Sequence, residues 1–577
     1  MNIRTPKPLF PFLIAAAAAI GARAGDAAYH DFKGLTQTIR SLGGEFKELR
    51  VESLGKSPAG LDIWAVSLSD AKTENPALCI IGGVDGRDLA STEIILSMIR
   101  ETAEKRMGSD STALLLRKTT FYFLPRVNPD AAESAFRKPV RENTLNARSL
   151  DLDADGMNDE DGFDDMNGDG LITQMRIEDP EGPYMQDTLY PHLMRRALPH
   201  KGEKGRYRLF SEGLDNDRDG LFNEDPPGGV DISRNFTFQY RFFQTGSGPH
   251  PVSEPESRAV ADFLFSHPDI AAVFSFGQSD NLNHPPEIKE TPVPAVKPGI
   301  GEEPQPVTET LPEDAAILAA VSGTFAKACG FHDPLPAVRS EGGLPEWVYF
   351  HLGRWSFSAR SWWPPLVPEP DSARHDSSAS PLKPDGPGDK SRPEDTLAFE
   401  KRLWKWLEKT GRTDQFVTWT NVRHPDFPDQ KVETGGFRPF SAACPPPDSL
   451  EGPAKKFAGF VMRLASMLPR IAVRTKLEKL QDSVFRLTVY VTNDGFLPTC
   501  TALGRKVQWN QKVLTELKPD PAIRIASGQI RAQAESIAGS GGTVSQSWVM
   551  TAPPGSRVAV RAGCPSSGYA EETVVLR

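Results

Sequence analysis

Two kinds of oxygen-rich cluster in this chain have the residue types and spacing to do chemistry. The first is the loop Gly83-Val84-Asp85-Gly86-Arg87-Asp88. It follows a short apolar run, Ala77 to Ile81, and precedes a helix-like stretch, so two carboxylates stand where a hydrolase strand often delivers metal ligands. The pattern is Asp-x-x-Asp, and no histidine accompanies it.

The second cluster is a triplicated acidic loop. Asp151, Asp153, Asp155, Asp159 and Asp161 surround Gly156; Asp215, Asp217, Asp219, Asn223 and Asp225 surround Gly220 at the same spacing. Between them Asp165, Asn167 and Asp169 precede Gly170. Oxygen side chains at alternate positions with glycine at the sixth match the first half of a calcium loop, the glycine permitting the turn that aims several oxygens at one hard cation. The twelfth positions are Gly162, Arg176 and Pro226 rather than glutamate. Compact calcium loops of the extracellular kind are therefore expected, with a structural role, because nothing nucleophilic or basic is interleaved.

The elements that must position these residues are legible as alternating runs. Ala77–Ile81, Thr119–Leu124, Ile270–Phe276 and Trp355–Ala359 read as strands. Thr92–Thr102 and Leu397–Leu407 carry helical periodicity, and Ser253-Glu254-Pro255-Glu256 reads as a capping box opening another helix. This alternation predicts an α/β domain with a mixed sheet flanked by helices. From about Ile471 the period becomes two, as at Phe485, Leu487, Val489 and Val491, which predicts a C-terminal all-β sandwich over 471–577. The expected organisation is a leader over 1–24, the α/β domain over 25–470 with the acidic insertion at about 150–228, and the β-sandwich. Residues 285–310 and 365–393, rich in Pro, Ser and charge, read as surface insertions.

Bulk properties bound the rest. The chain has 577 residues and a net charge of -10, which favours neither nucleic acid nor an anionic membrane as partner. Arg4 and Lys7 precede an apolar stretch ending at Ala22-Arg23-Ala24, the pattern of an export signal; no later segment is apolar enough to span a bilayer. An exported bacterial protein, periplasmic or extracellular, is expected. Five scattered cysteines do not make a disulfide scaffold, although Cys500 and Cys564 could pair, and Cys79 reads as a buried thiol.

Four motifs in order resemble the zinc carboxypeptidases, the carboxypeptidase A-like metallopeptidases: Leu54-Gly55-Lys56-Ser57, Val127-Asn128-Pro129-Asp130, Gly229-Val230-Asp231-Ile232-Ser233-Arg234-Asn235-Phe236, and Glu346-Trp347-Val348-Tyr349 running on to Trp355-Ser356-Phe357-Ser358. The resemblance implies zinc-assisted hydrolysis, with the metal polarising a carbonyl and a glutamate taking the water proton. It also implies where that chemistry is missing. The family's His-x-x-Glu ligands fall on Asp85 and Asp88, its third histidine on Phe274, and its general base on Arg360. Arg360 is expected to pair with Asp85 or Asp88 in place of the metal's charge. Substrate-holding positions are kept at Arg87, Arg137, Arg234 and Tyr349, with Ser233 replacing the asparagine of the carboxylate clamp. Further candidates are replacement ligands at Gln278, Asp280 and His284, the literal His284-Pro285-Pro286-Glu287, and a displaced base at Glu433. Three functions follow: a degenerate peptidase binding peptide C-termini or cell-wall peptides, an active metallocarboxypeptidase with a rearranged site, or a structural or adhesive surface protein.

Overall fold

The computed structural model describes residues 29–69, 74–152, 156–218, 220, 222–223, 225–288, 306–368, 393–507 and 510–577. The expected leader lies outside them, as do most of 285–310 and 365–393 and, within the acidic loops, Asp153, Asp155 and Asp219.

The four strands read from apolar runs lie side by side in one six-stranded sheet. Its order is Leu49–Lys56, Asp62–Leu68, Thr120–Leu124, Ala77–Ile81, Ile270–Phe276 and Trp355–Ala359, the last four parallel and the first two antiparallel additions. Parallel strands need cover on both faces, and both are covered. Leu78, Ile80, Phe121, Phe274 and Phe357 pack against helices Leu89–Arg106 and Glu451–Met467. Cys79, Ile81 and Val273 pack the other way, against helix Pro255–Ser266 and helix Leu344–Phe350. The loop Gly83–Asp88 therefore leaves the carboxyl end of a central strand, where open α/β sheets place their ligands.

A second, six-stranded sheet has no counterpart in the periodicity of the sequence. It joins Phe416–Val422, Val432–Phe437, Gln174–Glu178, Tyr207–Ser211, Tyr184–Gln186 and Met194–Arg196, so the acidic insertion and a segment some 250 residues later share one antiparallel layer. Helix Pro393–Lys409 contains the periodicity read at Leu397–Leu407. The expected capping box does not form: Glu254 is the N-cap of helix Pro255–Ser266 and makes no side-chain cap, Pro255 occupying the first turn.

From Ile471 onward the chain is all β. Two four-stranded antiparallel sheets face each other over Phe485, Leu487, Trp548, Val558 and Val560. All five cysteines are buried and free, so Cys500 and Cys564 are not paired; their thiols point to the Glu535 carbonyl and to Ser567. The sandwich is tied to the first domain at Asp314, which accepts from Ala502 N, Leu503 N and the Tyr349 hydroxyl. Among the described residues no helix is long and apolar enough to cross a membrane.

Candidate functional site

The strand-end loop is closed on itself. Asp85 accepts from Arg87 three times, at backbone N (3.0 Å), Nε (3.1 Å) and Nη2 (2.8 Å). Gln278 Nε2 adds a long fourth contact at 3.4 Å. Burial pushes the Asp85 carboxyl up, but the guanidinium beside it more than offsets this and holds it below the usual carboxylate range. Reciprocally, Arg87 is held charged by Asp85.

Asp88 has a different task. It caps helix Leu89–Arg106 by accepting from Ser91 N at 3.0 Å, and takes the Ser361 hydroxyl at 2.5 Å. Burial dominates here and lifts its pKa to about 6, against the pull of those two donors. Beneath the loop, the buried Cys444 thiol points at the Arg87 carbonyl.

Arg360 approaches this cluster but does not pair with it. Its Nη2 donates to the Pro336 carbonyl at 3.0 Å, and its buried Nε has no hydrogen-bond partner among the described residues. Burial lowers its pKa, and the fields of Asp280, Asp85 and Asp88 act against that. The expected ion pair with Asp85 or Asp88 is thus replaced by a purely long-range attraction, because Arg87 reaches Asp85 first from two residues away.

Phe274 is corrected more sharply. Its Cα pairs with Ile80 and Phe357, so its ring falls on the face turned to Phe457 and Phe460 rather than on the loop. The residue after this strand that reaches Asp85 is Gln278, four positions on. Tyr349 is also placed elsewhere. It is 6% exposed, and its hydroxyl is used by Asp314 and by Leu311 N, so it is not poised over the loop.

Arg234 lies on a turn near the loop. It follows Asp231, whose Oδ1 caps Ser233 N and accepts its hydroxyl; Arg234 Nε lies 3.7 Å from Asp231 Oδ2 with its side chain 36% exposed. Asp231 feels both Asp85 and Arg87 electrostatically, which joins this turn to the strand-end loop. Arg137 lines a separate cavity with Lys138 and Arg141. The remaining candidates are engaged: Asp280 is fully buried and takes Asn283, His284 Nε2 faces the Leu335 carbonyl, and Glu433 is clamped by Arg176 and Lys431 in the second sheet.

This donor set does not fit zinc. Both carboxylates at the strand end have their own hydrogen-bond donors, the nearby third side chain is an amide, and two guanidinium groups flank the position. Among the described residues no three His, Cys, Asp or Glu side chains group as a metal site.

The acidic loops share one local geometry. In each, the first aspartate accepts from the N–H of the sixth-position glycine: Asp151 from Gly156 (3.0 Å), Asp165 from Gly170 (2.7 Å), Asp215 from Gly220 (3.1 Å). Those glycines have φ of 99°, 82° and 92°, a region that favours glycine. The first and third loops are also cross-linked. Asp161 accepts from Asn216 N, and Asp225 from Leu152 N, so each loop's eleventh residue takes the second N–H of the other.

Comparison with known proteins points to the same family over the first third of the chain, the part that holds the first two motifs. Residues 35–180 match the family described as zinc carboxypeptidase, and residues 471–575 match a domain of unknown function. Rat carboxypeptidase D is 27% identical over 134 residues, 22% of this chain and 10% of that protein; rat carboxypeptidase Z is 25% identical over 136 residues, 22% and 21%. The match thus spans about a tenth to a fifth of those relatives. Bovine thrombin-activatable fibrinolysis inhibitor in complex with tick carboxypeptidase inhibitor is similar in structure at 14% identity, covering 76% of this chain and 97% of that one with a TM-score of 0.38.

Proposed function

We propose that this chain, a member of the zinc carboxypeptidase family, binds peptides by their C-terminal carboxylate, cell-wall peptides among them, without hydrolysing them. The observation that carries the reading is the Asp85–Arg87 pair. The position from which a hydrolase would present its first metal ligand is spent on a guanidinium two residues away. With Arg360 where a base would stand, neither position is left to activate water. Arg234 supports the binding half, since a planar, partly exposed guanidinium suits bidentate capture of a carboxylate.

Zinc, the cofactor of the family, has no place in this reading. Calcium does: Asp151, Asp159, Asp161, Asp165, Asn167, Asp169, Asp215, Asp217, Asn223 and Asp225, with Asp153, Asp155 and Asp219 outside the described residues, would hold it and tie the insertion together. The common aspartate-to-glycine bond in all three loops supports this. Elemental analysis of protein purified with both metals present tests the two statements together. Calcium retained by the chain, with zinc well below one atom per chain, is expected. One zinc per chain with chelator-sensitive release of C-terminal residues would overturn the non-hydrolytic reading, and absence of calcium would remove the insertion's proposed cation.

A further inference from the structure

Beside the strand-end loop, a cavity of about 400 Å³ opens between the segment 137–141 and the acidic insertion. Three cations line it: Arg137, Lys138 and Arg141. None of the three forms an ion pair with a carboxylate among the described residues.

Arg141 is the informative one. It is half-buried, with its guanidinium over the Phe163 ring at 4.7 Å from the centroid, and its hydrogen bond goes to the Pro227 carbonyl at 3.3 Å. Burial lowers its pKa and no carboxylate opposes that. A guanidinium is normally taken out of water only with a counter-charge. Two carboxylates also line the cavity, and both have donors of their own. Asp130 takes the Ser57 hydroxyl, Ala59 N and Ala147 N; Asp159 takes Gly228 N. Three cations against two carboxylates leave a surplus of one positive charge, focused on a half-buried fork backed by an aromatic ring.

We infer that this cavity is a second binding site, for a small oxyanion, with Arg141 as its central donor and Arg137 and Lys138 at its rim. The fork would donate two parallel hydrogen bonds to a carboxylate or phosphate group, and Phe163 would hold it flat. The site stands apart from the proposed capture of a peptide C-terminus at Arg234, and neither depends on the other.

Calorimetric titration of the full chain with inorganic phosphate, and separately with succinate, tests it. Saturable binding of at least one is expected, weakened about tenfold or more in Arg141→Gln and less in Arg141→Lys. Stronger phosphate binding identifies a phosphorylated ligand, and stronger succinate binding a carboxylate ligand. Thermal unfolding establishes that each variant is folded, and Lys138→Gln, altered at the exposed rim, gives a second weakened variant. No saturable binding of either anion, or binding as tight as the parent's by folded Arg141→Gln and Lys138→Gln, overturns the inference.

Discussion

Phe274→Ala is expected to destabilise the protein by about 3 to 5 kcal/mol, the range for deleting a fully buried aromatic side chain without backbone collapse. The ring is 0% exposed, and its centroid lies 5.0 Å from Phe276, 5.8 Å from Phe460 and 6.3 Å from Phe457. Strand Ile270–Phe276 is held on both sides by parallel neighbours and cannot move in to fill the space. Denaturant unfolding measures the loss as a lower midpoint at unchanged slope. A change below about 1 kcal/mol would mean that the ring lines an open site instead. Phe274→His is expected to destabilise for the same reason, because it places an imidazole among phenylalanines and not beside Asp85.

Asp88→Asn is expected to stabilise the protein at pH 7. Asp88 has a folded pKa of about 6 against an ordinary value of 3.8. A carboxyl raised on folding contributes stability that is full below the unfolded pKa and is lost as pH rises through the folded one. In the parent, stability from this group therefore falls between about pH 4 and pH 6, by up to roughly 3 kcal/mol for a two-unit shift. Asparagine keeps the helix cap, accepting from Ser91 N and Ser361 as the carboxylate does, and carries no charge to desolvate. Melting temperature followed from about pH 4 to 8 should show the Asp88→Asn variant flatter than the parent across that window and higher above it. Asp85 runs the other way: its depressed pKa makes its contribution full at neutral pH and lost as pH falls below about 4. A fall in stability of Asp88→Asn at pH 7 would show that the charge is needed there, as it would be for a cation ligand.

Much of this is legible in the sequence because continuous apolar runs bounded by turns have few alternatives to a buried parallel strand. Ala77–Ile81, Ile270–Phe276 and Trp355–Ala359 are bounded to the residue, and a first long strand of the all-β part runs over Ile471–Gln481. The second sheet is hidden for a physical reason. Gln174–Glu178 and Met194–Arg196 are short and carry arginines whose charge is satisfied only by partners outside the strand, as Arg176 is by Glu433. Within the site, the pair of carboxylates at Asp85 and Asp88 follows from residue identity. What identity cannot give is direction. The pleat that turns Phe274 into the core and leaves Gln278 for Asp85 depends on strand pairing, and the tertiary contact that takes the Tyr349 hydroxyl comes from Asp314. Opposite charge alone would put Arg360 on Asp85; a guanidinium two residues away prevails through its shorter reach.

The central claim is that the site grips a peptide's terminal carboxylate and leaves the peptide intact. Titrating one short peptide as the free acid and as the C-terminal amide, with the peptide's mass determined afterwards, tests it most directly. The free acid should bind at least about tenfold more tightly, the worth of one good charge-assisted contact, Arg234→Ala should abolish the difference, and the peptide should be recovered whole. Equal binding of acid and amide, or a recovered peptide shortened by its last residue, would contradict the account.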